Sequence, residues 1–288
     1  MNEPLAHERS ACERLALSSV ASVLAVARLT WLDFLRRKDF YVVAVFMLLF
    51  VLATAVVRII GIDKASTARF LMSAGLSLSH FFAAFLAASF SARCFPEEFD
   101  RGTLMPLLAK PISRAAALTG KIVACFLLVV AGYVLFVGAN LLALPMTPGQ
   151  EWTALAQVVC LQTIGLALLC TTAMTLSLYL PTLVSALIAM TWHFGAGLVV
   201  NLVKQSVALD HAEGLRAAEG LRAAEWRAMT ERLLSCLPDA TLLSHTEVFA
   251  GAAGHLSGPL FLGLAVYGLA WALLFYVWAV RRFSRMRL

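Results

Sequence analysis

A chain of 288 residues that is 61% hydrophobic and only 14% charged, with a mean hydropathy of +0.83, lies outside the composition of soluble globular domains. The sequence therefore reads as an integral membrane protein, built as an all-α, polytopic fold. Its net charge of +6 is what membrane topology and anionic headgroups ask for, and it is not read as a nucleic-acid footprint.

Residues 1–39 are expected to form a cytoplasmic segment with an amphipathic interfacial helix, because Leu17, Val20, Leu24, Ala27 and Trp31 recur at helical spacing while Ser18, Ser22, Asp33 and Arg36 fall elsewhere. The run Leu15–Ala27 has the length of a secretory signal core. Cleavage there would send the Arg36-Arg37-Lys38 cluster outward, against the usual charge bias, so the interfacial helix is preferred.

A helix needs about 20 apolar residues to cross the roughly 30 Å hydrocarbon layer, since lipid offers the backbone no partners. Six windows qualify: Phe40–Ile62, Phe70–Ala92, Ile122–Leu144, Thr153–Leu180, Thr182–Val203 and Leu260–Val280. None holds an Asp or Glu, and Arg58 is near enough to a window end to snorkel. Together they define a six-span domain over residues 40–280. Lys and Arg concentrate in the amino-terminal segment, in the loop at 93–121 and in the basic tail at 281–288, which predicts that both termini are cytoplasmic; the expected location is the cell (inner) membrane.

Tight external turns are expected at 63–69 and 145–152, and Pro181 leaves so little chain between the fourth and fifth windows that the pair must form a close hairpin or a kinked unit. The external loop at 204–259 is the long one. It holds two identical hexads, Ala212–Ala217 and Ala218–Ala223. Six residues turn a helix by about 600°, so successive copies cannot share a face, and the repeat reads as a duplication in a tolerant surface loop. The apolar run Val248–Gly254 is too short to cross and suggests a re-entrant or interfacial piece.

Enzymatic motifs are missing. A phosphate-cradling loop needs an earlier glycine and a Ser or Thr after Gly-Lys, whereas Gly120-Lys121 is followed by Ile122. The six cysteines show neither metal spacing nor a CxxC pair, and no metal site is expected. Among polar residues deep in the windows, Asn140, His193 and Asn201 are candidates for a substrate path, because polar groups in hydrocarbon tend to face other helices or water. With no buried carboxylate to carry Na⁺ or H⁺, coupling to an ion gradient is disfavoured.

The loop between the second and third windows has the most local signal. Pro96 with Glu97, Glu98 and Asp100 marks a helix start where negative charge suits the dipole, Gly102 permits close approach, Pro111 breaks the segment, and Ser113 is placed to cap the helix that follows through Arg114 and Lys121.

Glu98, Gly102-Thr103-Leu104, Leu107-Leu108, Pro111-Ile112-Ser113-Arg114 and Gly120-Lys121 resemble, in order and spacing, the pattern after the second span of type-2 ATP-binding-cassette permease subunits. That resemblance implies a cytoplasmic coupling helix that docks on a separate ATPase, shaped by Glu97, Glu98, Asp100, Arg101, Gly102, Thr103 and Leu104, with Pro111, Ser113, Arg114 and Lys121 anchoring its return. It further implies ATP and Mg on the partner ATPase and none on this chain, pairing with a second permease copy or a relative, and outward movement of substrate. Pro106 departs from the commoner pattern. The rival reading is an ATP-independent scaffold that recruits a cytosolic protein through the same loop.

Overall fold

A computed structural model describes residues 20–33, 65–96, 114–143, 152–195, 240–243 and 256–285, with isolated helical positions between 45 and 56. Helices dominate: α1 over 20–33, α2 over Ala65–Arg93, α3 over Arg114–Ala143, α4 over Trp152–Ser177, α5 over Thr182–Gly195 and α6 over Gly258–Arg285. No strand occurs among the described residues. α2, α3, α4 and α6 are each long and apolar enough to cross a membrane. The first window and residues 196–203 of the fifth lie outside the described residues, apart from the isolated positions noted above.

Local signals explain several boundaries. Arg93 closes α2, and Arg282 and Arg285 close α6, where cations offset the exposed carbonyls at a helix end. Pro259 sits in the first turn of α6, where its missing N–H would have had no helical partner anyway. Just before it, Gln157 of α4 serves both backbone groups of Leu256: its Nε2 donates to the Leu256 carbonyl at 3.2 Å and its Oε1 accepts from the Leu256 N–H at 2.9 Å. α3 begins eight residues before its apolar window, so one continuous helix carries Arg114 and Lys121 into the bundle.

α2 packs against both α3 and α4, and α6 lies along α4. The hairpin expected at Pro181 is present. α4 gives way to a turn at 178–180 in which the Leu180 N–H donates to the Leu176 carbonyl at 2.9 Å, and α5 opens with Ser185 N–H on the Pro181 carbonyl at 3.0 Å. A Cβ on Gly165 would stand 3.5 Å from His193 Cε1, and these two positions lie nearly equidistant from the turn, so α4 and α5 run back to back. Small residues set the close approaches, as expected where lipid removes the hydrophobic drive between helices. Gly75 admits the Asn140 side chain, and Gly268 admits Ile164, whose Cγ2 lies 2.6 Å from the place a Cβ would take.

Two findings refine the sequence reading. The face of α1 turned to the bundle carries Val23, Val26, Ala27 and Trp31, whereas Val20 and Leu24 of the expected apolar stripe are exposed. α1 thus has a protein-facing strip beside its outward apolar strip, and Ala27 and Trp31 of the expected stripe fall on the protein-facing one. A 3-10 turn at Ala240–Leu243, inside the segment assigned to the external loop, buries Leu243 between Gly165 of α4 and Gly268 of α6. Gly165 is midway along α4, so part of that segment dips to mid-bundle. The run Val248–Gly254 and both hexads lie outside the described residues.

Candidate functional site

Polar side chains in the bundle fall into two groups. Hydroxyls of the first group satisfy themselves on their own helix: Ser79 on the Gly75 carbonyl at 2.8 Å, Thr163 on Val159 at 2.7 Å, Thr171 on Leu168 at 2.9 Å, Thr172 on Leu169 at 2.9 Å and Ser177 on Met174 at 2.8 Å. Such back-bonding removes the cost of burying a hydroxyl and leaves little capacity for a ligand. Thr175 reaches a neighbour, with Oγ1 3.2 Å from the Phe275 carbonyl of α6 and 2.6 Å from that of Thr171.

The second group is drawn from four helices and retains capacity. His80 of α2 and His193 of α5 face each other with Nε2 atoms 3.1 Å apart, both rings almost fully buried. One nitrogen must donate its hydrogen and the other accept it, so the two rings hold complementary tautomers. In either arrangement Nδ1 of His80 has no partner among the described residues. Tyr133 of α3 stands edge-on to His80 at 6.3 Å, and Phe194 stands edge-on at 5.9 Å. The Tyr133 hydroxyl donates to Oε1 of Gln162 on α4, whose Nε2 is buried without a partner among the described residues. Gly165, one turn past Gln162, leaves room for the His193 ring.

Asn140, two turns beyond Tyr133 on the same face of α3, is fully buried against α2, with Nδ2 3.5 Å from the Met72 carbonyl and Oδ1 unmatched among the described residues. Of the expected pathway residues, Asn140 is buried two turns farther along α3, Asn201 lies outside the described residues, and His193 belongs to the polar core. His80 and Gln162 complete it, and His80 was legible in the sequence as the single histidine of an otherwise uncharged second window. Tyr133→Phe would strip Gln162 of its remaining side-chain partner and lower stability by about 1–3 kcal/mol. Thermal unfolding of the detergent-solubilised protein measures this, and an unchanged midpoint would contradict the assigned hydrogen bond.

A cavity of about 330 Å³ opens between α2 and α5, lined by Phe85, Ser89, Arg93, Thr182, Leu187 and Met190. It lies between the polar core and the end of the bundle where α2 finishes.

At that end the structure shows Arg114 and Lys121 of the loop assignment. The Arg114 Nη1 donates to the Ser284 carbonyl at 3.3 Å. Lys121 is buried, with Nζ 4.2 Å from the centre of the Phe95 ring. Glu97, Glu98, Asp100, Arg101, Gly102, Thr103, Leu104, Pro111 and Ser113 lie outside the described residues. Of the cysteines, Cys94, Cys125 and Cys170 are buried among apolar side chains, and Cys160 is exposed.

Long apolar helices around buried polar side chains define a multi-pass membrane protein. A family model described as ABC-2 family transporter protein matches residues 34–207, well over half of the chain. The chain belongs to the ABC-2 transporter family, and its role is of the permease type. A search of curated proteins finds no match.

Proposed function

We propose that this chain is the transmembrane permease subunit of an ATP-binding-cassette transporter, driven by ATP hydrolysis on a separate cytosolic subunit that holds ATP and Mg. The observation that carries this reading is the family match over 34–207, which takes in the first five windows and the Glu98, Gly102-Thr103 and Pro111-x-Ser113-Arg114 motif between the second and third. Arg93, Arg114, Lys121, Arg281, Arg282 and Arg285 cluster at one end of the bundle, which supports placing that end in the cytoplasm of the inner membrane. α1, with Val20 and Leu24 outward, then lies at the cytoplasmic membrane surface.

In this reading two permease copies, or this chain and a relative, enclose an outward path, and closure of the ATPases moves the loop and α1. The polar core supplies groups that a substrate or water can meet, since buried polar atoms without partners are otherwise costly. The chain needs no catalytic group of its own. Glu98→Arg and Gly102→Trp should insert normally but lose co-purification with the ATPase or lose coupled transport. Unchanged coupling in both variants would overturn the docking role, and a partner retained without ATP-driven transport in the native protein would favour a scaffold.

A further inference from the structure

We propose that the last turns of α6 fasten the two ends of the α2–α3 loop, with Phe283 and Lys121 as positioning residues, so that displacement of the loop is handed directly to α6. Loop docking on an ATPase is the reading above, and the purpose of this fastening rests on it. The fastening itself stands on contacts within the chain.

Phe95, just past the end of α2, is fully buried, and its ring centre lies 5.0 Å from that of Phe283, which is also buried. Lys121 enters the same place from α3, two turns inside the helix, with its ammonium against the Phe95 ring. An ammonium is expensive to bury and gains from the negative face of an aromatic ring. Lys121 therefore has a polar reason to hold the exit of the loop against its return. α6 closes the junction twice more: Tyr276 shares a 2.7 Å hydrogen bond with Thr119, and the Ser284 carbonyl accepts from Arg114. Because Thr119 Oγ1 also lies 2.7 Å from the Ala115 carbonyl, its hydrogen can go there while Tyr276 donates to it.

Tyr276, Val280, Phe283 and Ser284 recur at i, i+4, i+7 and i+8 and so form one stripe down α6. α6 is also the least enclosed of the four long spans, with 11% of its apolar window buried. Beside the stripe, Tyr179 at the α4–α5 turn also meets this end of α6, with its ring 6.0 Å from that of Trp278 and 4.7 Å from the Arg282 guanidinium. Farther along, the Thr175 contact with the Phe275 carbonyl ties α6 to α4, the helix that supplies Gln162 to the polar core. The junction thus offers a packed route from the loop to mid-bundle.

The test uses the full chain in nanodiscs and hydrogen exchange of peptides covering 90–96 and 114–121. Phe283→Ala and Lys121→Met should raise exchange there roughly tenfold, as loss of one buried ring contact implies, while peptides of α4 stay as in the native protein. Lys121→Arg, which keeps the cation, should restore protection, a rescue that mere filling of space by Met cannot give. Phe283→Leu serves if the alanine variant does not fold, and is expected to exchange like it. Native exchange at both peptides in Lys121→Met and in the Phe283 variant would overturn the fastening. A separate arm measures the ATPase complex: Phe283→Leu should retain the ATPase yet lose most substrate-stimulated turnover, and native stimulation would overturn the hand-over to α6. If the native chain binds no ATPase, the permease reading falls while the exchange result still decides the fastening.

Discussion

A leucine at position 120 should lift α1 off the bundle. A Cβ added to Gly120 would stand 2.8 Å from the Val23 carbonyl oxygen and 2.8 Å from Val26 Cβ, so the obstacle includes backbone that cannot rotate out of the way. Even alanine there should cost about 1–3 kcal/mol by overpacking, and the longer side chain leaves α1 no seat. Detachment is measurable because Ala27 is buried on the seated face. In a cysteine-depleted background, Ala27→Cys should react slowly with a maleimide, and at least about tenfold faster when Gly120→Leu is added, since labelling follows the population of the open form. Equal labelling in the two proteins would show that α1 is not held at Gly120. Under the proposed function, the same substitution should uncouple transport from ATP hydrolysis while α2 to α6 remain folded.

The histidine pair yields the second large effect, and a double-mutant cycle is the way to read it. His80→Leu or His193→Leu alone leaves one imidazole in the apolar core without its 3.1 Å partner, a loss of about 1–3 kcal/mol. Removing both should recover most of that, because neither polar group is then left to desolvate, so the double variant should be more stable than either single one. Thermal unfolding of all four proteins checks the sign. A double variant that loses the sum of the two single losses would mean the rings are independent. Transport measured on the same set separates roles: activity restored in the stable double variant marks the pair as structural, whereas activity lost in all three marks it as part of the path.

Hydropathy placed the windows of α2, α3, α4 and α6 well, because spanning lipid demands length and continuity that a local run of residues reveals. The hairpin at Pro181 was equally readable, since a helix cannot run on through Pro181 without losing a hydrogen bond. Rotation was harder. The sequence shows Val20, Leu24, Ala27 and Trp31 as one apolar stripe of an interfacial helix, yet Ala27 is buried with Val26 while Val20 and Leu24 stay exposed; on a helix apolar on two sides, spacing alone does not say which strip meets protein and which stays outside. His80 was missed for a different reason. Attention to Asn140 and His193 as isolated polar residues gave no cue that a partner lay on another helix.

By itself the sequence determined that this is a multi-pass membrane protein, where the four long spans among the described residues lie, and where its cations gather. All of these follow from composition and short-range spacing, which lipid and helix geometry constrain directly. Tertiary structure alone decided the partnerships: His80 with His193 across 113 residues, Lys121 on Phe95 with Phe283 behind it, and Leu243 wedged between two glycines of separate helices. In hydrocarbon an apolar face is as content against lipid as against protein, so helix register and rotation are set by close packing at small residues and by the pairing of buried polar groups. Those are properties of facing surfaces, and they exist only once the helices have met.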